Sequence, residues 1–188
     1  MKKFILSLFI LGLALTAPLV APPGGAMAAQ EDGIRFMILD NACDGRTFRI
    51  NRVDPAAITG ARGDTSIISG KLFVGETIPR NNFDRSFDLD ANVASSIGSW
   101  VCVNTVLAEP PLTHVVTYHF TLEEGTLVVQ GLNSHRTQGS VPRVLAIVGG
   151  TGRFSGASGE VEEEVIGNNN TGAFNLRFVF KIKKRSLK

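Results

Sequence analysis

The side chains best suited to chemistry alternate along two neighbouring apolar segments of the chain. These side chains are Trp100, Cys102, Asn104, His114, Tyr118 and Phe120. Successive side chains of a β-strand point to opposite faces, so each alternating set would lie on one face of its strand. If these faces meet inside one domain, they form apolar walls with a few polar groups. That is the usual form of a small-molecule site.

A ligand held there could be oriented by Tyr118 and Asn104 while His114 or Asp40 moves a proton. General acid–base work of this kind typically contributes about 10²–10⁴-fold to a rate. The alternative is a core filled by its own side chains, since small eight-stranded barrels are often just wide enough for them. The sequence leaves both interpretations open.

Other common kinds of site are not supported by the spacing. His114 and His119 are five residues apart and fall on opposite faces of one strand, while His135 lies in a polar stretch without a neighbouring ligand pair. The three histidines therefore do not predict a metal site. No Gly-x-Ser-x-Gly elbow leads into a helix, as a serine hydrolase would need. The run Glu162–Glu164 is typical of a solvated strand end.

An apolar strand that runs into Gly149–Gly152 has the beginning of a dinucleotide-binding motif. That chemistry needs a helix directly after the glycines, because the pyrophosphate is held at a helix N-terminus. The residues that follow are a second glycine-rich turn, 154–159, and a strand-like run, 160–166. The motif therefore predicts a tight β-to-β connection, and we expect no nicotinamide or other cofactor.

The first 29 residues have the three parts of a secretory signal peptide. Lys2 and Lys3 precede an apolar core, residues 4–20, and Ala26-Met27-Ala28 fits a cleavage site. A retained membrane anchor is the alternative, but prolines and glycines end the apolar run. We expect a secreted or periplasmic protein, with residues 1–29 removed, residues 30–188 forming one domain, and no membrane association after cleavage.

The charge of the expected mature chain is balanced. The whole chain has 19 Lys and Arg against 17 Asp and Glu, and loss of Lys2 and Lys3 leaves 17 of each. This balance gives no support to a nucleic-acid partner. Cys43 and Cys102 would meet an oxidising compartment after export. Their spacing leaves a disulfide between them undecided.

From Gly33 onwards the apolar pattern has the period of two that is typical of strands. The predicted strands are Ile34–Asp40, Arg46–Arg52, Asp64–Val74, Gly98–Leu107, Leu112–Leu122, Gly125–Leu132, Arg143–Val148, Glu160–Ile166 and Ala173–Lys183. Turn residues, such as Asp44-Gly45 and Asn168–Asn170, fill most gaps. Residues 76–96 predict a long loop or a distorted strand.

Short strands with short connections predict an all-β domain, either an antiparallel barrel or a sandwich. Several predicted strands are apolar on both faces, for example Phe174–Ile182. One face would line the interior, and the other would pack against another subunit or a covering segment.

Three strings in this order resemble the allene oxide cyclase and dirigent protein superfamily. They are Val-Val-Thr-Tyr-His-Phe at 115–120, Thr-Leu-Val-Val-Gln-Gly at 126–131, and the glycine-rich string at 145–159. The likeness spans about residues 34–182 and is greatest to secreted bacterial proteins with an allene oxide cyclase barrel-like domain. The resemblance implies an eight-stranded, calycin-like antiparallel barrel, an apolar central pocket, frequent trimers and no redox cofactor.

The residue-by-residue likeness to characterised members is partial. Ile38 and Asp40 stand where plant cyclases have a glutamate and a nearby asparagine, and Gly70 stands at a further pocket asparagine. The pocket cysteine matches Cys102, and a pocket tyrosine is replaced by Asn133. Arg153 and Ser158 replace the acid and the arginine of many dirigent proteins. The pattern puts both known activities in question.

The sequence thus predicts a barrel that binds a small hydrophobic molecule and acts as a cofactor-free isomerase, cyclase or stereo-guiding protein, as a homo-oligomer. The alternative is a non-catalytic binding or structural barrel, which the missing glutamate favours. The predicted catalytic residues are Asp40, His114 and Tyr118. The predicted ligand-binding residues are Ile68, Trp100, Cys102, Asn104, Phe120 and Asn133.

Overall fold

The computed structural model describes residues 27–31, 33–56, 60–108, 113–134 and 142–184. These residues form the strands β1 (Met27–Glu31), β2 (Ile34–Asn51), β3 (Thr65–Val74), β4 (Gly98–Ala108), β5 (Thr113–Leu122), β6 (Gly125–Ser134), β7 (Arg143–Gly150), β8 (Ala157–Asn168) and β9 (Phe174–Lys184). A one-turn helix, α1 (Leu89–Asn92), continues into a 3₁₀ turn, Val93–Ser95, and a second 3₁₀ turn spans Gly152–Phe154. None of the described helices is long and apolar enough to span a membrane.

Eight strands close into an antiparallel barrel, which confirms the predicted fold. Each of β2 to β9 pairs with the next strand in the chain, and β9 pairs back with β2 from Ile34↔Lys183 to Ala42↔Asn175. β1 pairs with the first residues of β2, ahead of the stretch that pairs with β3. Hydrogen bonding around the whole ring leaves the eight barrel strands without a free edge.

The predicted turn at Asp44-Gly45 is wrong, because one long strand, β2, runs through it. The register with β3 shifts between Asp44 and Arg49 instead. The Arg46 backbone N–H donates to Asp44 Oδ1 at 3.1 Å, and the Thr47 hydroxyl donates to the Asp44 carbonyl at 2.7 Å. A Cβ atom at Gly45 would lie 2.7 Å from the Thr171 carbonyl oxygen, so the glycine here permits close packing of two chain segments.

The glycine-rich connection joins two strands, as predicted. β7 ends at Gly150 and β8 begins at Ala157, with only the 3₁₀ turn between them. Gly152 has φ +59°, a value that L side chains rarely adopt. No long helix follows these glycines, so the phosphate-binding geometry of a dinucleotide site does not form here.

The apolar core has two layers. The main cluster lies inside the barrel, takes side chains from all eight strands and includes six aromatic residues. A smaller cluster lies on the outer side of the barrel wall: Ala42, Phe73, Ile78, Phe87, Leu89 and Ile166. The strands that contribute to both clusters are apolar on both faces for this reason.

The outer cluster is covered by the connection between β3 and β4, residues 75–97, which we call the covering segment. Its Ile78, Phe87 and Leu89 pack on strand residues of the barrel wall, and Phe87 meets Phe73 edge-to-face at 5.7 Å. Asp88 caps α1 by accepting a hydrogen bond from the Ala91 N–H at 3.1 Å. The prediction of a long loop is therefore correct, and this loop covers one side of the barrel.

The predicted signal peptide lies almost entirely outside the described residues, which begin at Met27. Its cleavage site falls within β1, so cleavage after Ala28 would leave only the Gln30 and Glu31 pairings of that strand. The eight strands that close the barrel begin at Ile34 and do not depend on this segment.

Candidate functional site

A pocket of about 670 Å³ opens inside one half of the barrel. Its size lies in the usual range for small-molecule sites. It is lined by Cys43, Gly45, Phe48, Ser66, Ile68, Trp100, Cys102, Asn104, His114, Tyr118, Arg143, Glu163, Val165, Thr171, Gly172, Ala173, Phe174 and Leu176. The walls are mostly apolar, and seven of the 18 lining residues are polar or charged.

The other half of the barrel is filled with side chains. Phe120, Phe178 and Phe180 are fully buried there, and Phe120 meets each of the other two rings edge-to-face at 5.0 Å. Leu127 and Val129 complete this packing. The two interpretations that the sequence left open therefore apply to different halves of one barrel.

Most of the predicted site residues come together at the pocket. The strand pairings Cys102↔Tyr118 and Ile68↔Cys102 place three of them side by side. Six of the nine line the pocket: Ile68, Trp100, Cys102, Asn104, His114 and Tyr118. Phe120 points into the barrel too, but it belongs to the filled half.

Asp40 is not in the pocket, so its proposed proton-transfer role there is corrected. It lies on the outer side of β2, fully buried under the covering segment, because Leu39 and Asn41 take the inner side. Arg177 donates to it twice, from Nε to Oδ1 at 2.8 Å and from Nη2 to Oδ2 at 3.0 Å. The Ile78 N–H donates to Oδ2 at 2.8 Å.

Asn133 is described only in its backbone, which pairs with that of His114. Its side chain lies outside the described part of the chain. The prediction that Asn133 contacts a ligand therefore stays a prediction.

The polar end of the pocket is a cluster of Tyr118, Arg143 and Glu163. The Tyr118 hydroxyl donates to Glu163 Oε2 at 2.8 Å, and Arg143 Nη2 donates to both of these oxygens. The Glu163 side chain is 3% exposed and that of Arg143 is 11% exposed. Burial, followed by the nearby Glu163 carboxylate, raises the pKa of Tyr118 well above its ordinary value. Tyr118 is therefore a neutral hydrogen-bond donor at neutral pH.

Sequence reasoning missed Arg143 and Glu163. The interpretation of Glu162–Glu164 as a solvated charge run is wrong for its middle residue, which is buried in the barrel. Strand alternation could have predicted their burial. Glu163 shares one face of its strand with the apolar Val161 and Val165, and Arg143 shares one face of its strand with Leu145. A buried carboxylate needs a partner, and the register Arg143↔Glu163 supplies it directly.

Both cysteines line the pocket as free thiols. Burial, with a smaller contribution from Glu163, raises the pKa of Cys102 to about 12. Burial also raises the pKa of Cys43 well above its ordinary value. Each sulfur accepts an amide N–H at 3.2 Å, Cys43 from Asn41 and Cys102 from Asn104. Both groups are thus protonated thiols at neutral pH and poor nucleophiles.

Gly70, which stands where the resemblance implies a pocket asparagine, leaves room for an amide from the next strand. A Cβ atom at this position would lie 2.6 Å from Asn41 Oδ1. Asn41 is fully buried on the inner side of β2, and its side chain lies over Gly70 of the neighbouring strand β3. The amide is therefore supplied from a different strand.

A second cavity of about 200 Å³ adjoins the pocket at the same end of the barrel. The two share Phe48, Ser66, Asn104 and His114, and the second continues past Ile50 and Val106 towards Asp64 and Arg52. The pocket therefore has an apolar mouth with charged residues at its outer edge. No group of three or more His, Cys, Asp or Glu side chains in the described ranges is placed to hold a metal ion.

Comparisons with known proteins agree with this architecture. Residues 88–179 match the family model of the allene oxide cyclase barrel like domain. No curated protein sequence matches the chain.

Three solved structures share the fold at low sequence identity. A pterocarpan synthase dirigent protein is 17% identical over 85% of this chain and 92% of its own, with a TM-score of 0.55. A pyocyanin demethylase is 18% identical over 77% of this chain and 99% of its own, with a TM-score of 0.51. A nonspecific heme-binding cyclase that catalyses a [4 + 2] cycloaddition in neoabyssomicin biosynthesis is 13% identical over 80% and 67%, with a TM-score of 0.54.

Residues 88–179 thus match the allene oxide cyclase barrel like domain, and the closed eight-stranded fold is shared with the dirigent and cyclase structures, in agreement with the resemblance that the sequence strings indicated.

Proposed function

We propose that this protein binds a small, largely apolar molecule in the barrel pocket and guides its cyclisation or isomerisation. The observation that carries the proposal is the pocket itself, about 670 Å³ of mostly apolar wall that ends at a buried Arg–Tyr–Glu cluster. Among its structural neighbours, the pterocarpan synthase dirigent protein and the [4 + 2] cyclase have names that describe ring-forming chemistry. That likeness is an analogy of fold.

In this mechanism the pocket walls hold a flexible substrate in one folded conformer. Positioning of this kind can supply several kcal/mol of the barrier, about 7–11 kcal/mol in well-oriented intramolecular reactions. Tyr118 offers a neutral O–H, and Arg143 stabilises negative charge that develops on a substrate oxygen. Glu163, in place of Asp40, is the carboxylate within reach of the Tyr118 proton.

Binding is tested with N-phenyl-1-naphthylamine, a neutral apolar dye that accepts energy from the single tryptophan, Trp100. The wild type should bind the dye in a saturable manner. Asn104→Phe places bulk in the pocket and should abolish binding with an unchanged melting temperature. Lys181→Phe, on the exposed outer face of β9, is the matched control and should bind like the wild type. An absence of dye binding together with a destabilised Asn104→Phe variant would refute the proposal.

A non-catalytic binding barrel is the second candidate. The observation that favours it is the lack of a first-strand carboxylate in the pocket, since the inner side of β2 presents Met37, Leu39, Asn41 and Cys43. Native mass spectrometry of protein from its own host detects a retained ligand, and chromatography of the ligand after incubation and release separates the candidates, since an isomer has the same mass. A retained ligand that leaves unchanged supports binding alone, and a ligand that is released as an isomer supports catalysis.

We also propose that the protein is exported. The proposal rests on Lys2, Lys3, the apolar run at 4–20 and the cleavage motif at 26–28. N-terminal sequencing of the protein recovered outside the cytoplasm should begin at Ala29 or Gln30. Full-length protein in the membrane fraction would contradict this.

Self-association, most simply as a trimer, is the final part of the proposal. The outer faces of β6 and β7 expose Leu132, Val144 and Val148, and no described segment covers them. Contiguous exposed apolar surface is unusual on soluble monomers. Light scattering at micromolar concentration should give a multiple of the monomer mass, and Val144→Lys with Val148→Lys should reduce it. A monomer mass for the wild type would overturn this part alone.

A further inference from the structure

We infer that the polar end of the ligand is a neutral carbonyl oxygen, as in a ketone, ester, lactone or quinone, which Arg143 binds. This inference rests on the proposed function, because it concerns the occupant of the same pocket. It specifies the chemical class of that occupant.

The buried polar atoms that are left unsatisfied at the pocket are hydrogen-bond donors. Arg143 Nε and Nη1 and Trp100 Nε1 are buried, and none of them has a hydrogen-bond partner among the described residues. Both side chains line the pocket. All three atoms can only donate hydrogen bonds, so only an acceptor can satisfy them. Because buried donors are rarely left unpaired, an acceptor atom on the ligand is the simplest partner for these nitrogens.

The charge balance of the cluster favours a neutral ligand group over an anion. The Glu163 carboxylate, 3% exposed, already neutralises the Arg143 guanidinium. A ligand carboxylate would bring a second negative charge beside a buried carboxylate, and like charges repel strongly where water is excluded. A neutral carbonyl oxygen accepts hydrogen bonds without this repulsion. The cluster therefore favours a carbonyl over an acid.

The mouth of the pocket indicates that the rest of the ligand is apolar. Phe48 and Phe174 line the pocket, and both are about half exposed at its mouth. Large apolar side chains that are exposed at a pocket rim would be covered by an apolar ligand body.

The donor nitrogens are shielded from solvent, so the Arg143 guanidinium must turn towards the cavity to reach the carbonyl. The open volume beside it permits that turn.

The test uses three compounds of one shape that differ in their polar group: 2-acetylnaphthalene, 2-ethylnaphthalene and 2-naphthoate. Each compound is titrated at pH 7 into the purified full-length protein with N-phenyl-1-naphthylamine bound, and displacement of the dye is measured. A hydrogen bond to a charged group predicts that the ketone binds about tenfold or more tightly than the hydrocarbon. The carboxylate should bind most weakly.

Glu163→Gln is the matched variant, because it keeps the shape of the side chain and removes the negative charge. The guanidinium is then uncompensated, so 2-naphthoate should gain at least tenfold while 2-ethylnaphthalene stays unchanged. If this variant does not fold, Arg143→Met with Glu163→Met removes both charges together. The double variant should bind the hydrocarbon as before and lose the preference for the ketone.

The outcomes separate the two proposals. Failure of the wild type to bind N-phenyl-1-naphthylamine overturns the proposed function. Saturable binding of the dye, with equal displacement by the ketone and the hydrocarbon, overturns only the carbonyl inference. A wild-type preference for 2-naphthoate over the ketone would also overturn it, because it would show that Glu163 does not set the charge of the site.

Discussion

Two arginine–carboxylate pairs lie on opposite sides of the barrel wall, and they differ in how completely they are satisfied. The outer pair, Asp40 and Arg177, is bidentate, and it also holds the covering segment because Ile78 donates to Asp40 and accepts from Arg177 Nη2 at 3.1 Å. The inner pair, Arg143 and Glu163, shares its contacts with Tyr118 and leaves two guanidinium nitrogens without a partner among the described residues.

The two pairs are buried to a similar degree, so burial does not distinguish them. The side chains of Asp40 and Arg177 are 0% and 14% exposed, against 3% and 11% for Glu163 and Arg143. The two pairs differ in the groups that surround them. The outer pair is closed over by backbone groups of the covering segment, whereas the inner pair borders a cavity. A satisfied buried pair of this kind is structural, and an under-satisfied pair beside a pocket is suited to binding.

The largest expected effect comes from breaking the outer pair. Asp40→Asn should destabilise the protein by about 3–5 kcal/mol, because it leaves the Arg177 charge buried without its partner. Chemical denaturation measures the change. A loss under 1 kcal/mol would show that this pair does not hold the covering segment in place.

The corresponding change in the inner pair should cost less. Glu163→Gln leaves Arg143 beside a cavity that water can enter, and we expect a loss of about 1–3 kcal/mol. The same denaturation experiment applies, with Asp40→Asn as the reference. Equal losses for the two variants would remove the distinction between a structural and a binding pair.

The third prediction concerns alkaline pH and separates the pocket from the outer pair. The pKa of Cys102 is raised to about 12, because burial disfavours the thiolate, from an ordinary value of about 9. The folded state therefore keeps a proton that the unfolded state releases, and stability falls as pH rises from about 9 towards 12. Cys102→Ser should reduce this slope by about 1.4 kcal/mol per pH unit.

The Arg177 guanidinium of the outer pair is the control for this dependence of stability on pH. The guanidinium of Arg177 stays charged over this range, because its hydrogen bond to Asp40 raises its pKa further above its ordinary value. An unchanged slope in Cys102→Ser would mean that the thiol is exposed to solvent.

The smallest expected effect is at an exposed pair that serves as a baseline. Arg153 Nη1 and Glu124 Oε1 are 2.7 Å apart, and both side chains are 40% exposed. Exposed pairs contribute about 0–1 kcal/mol, so Glu124→Gln should change the free energy of unfolding by less than 1 kcal/mol. A loss as large as that of Glu163→Gln would show that burial is not what gives the inner pair its strength.

Sequence reasoning located most of the pocket because alternation along a strand is a local property. It placed Trp100, Cys102, Asn104 and Tyr118 on one face, and the structure brings them together at the pocket. It failed for Asp40, because both alternating sets of β2 contain polar and apolar residues. Only the pairing of β2 with β9 decides which set faces inwards.

The sequence by itself determined seven of the eight barrel strands, β3 to β9, and the β-to-β connection at the glycine-rich motif. These depend on side-chain period and on backbone preferences within a few residues. The tertiary structure alone decided that Glu163 is buried against Arg143, that Asp40 lies under the covering segment, and that one half of the barrel is open. Each of these depends on strand register and closure, which join residues far apart in the chain and set the space left between them.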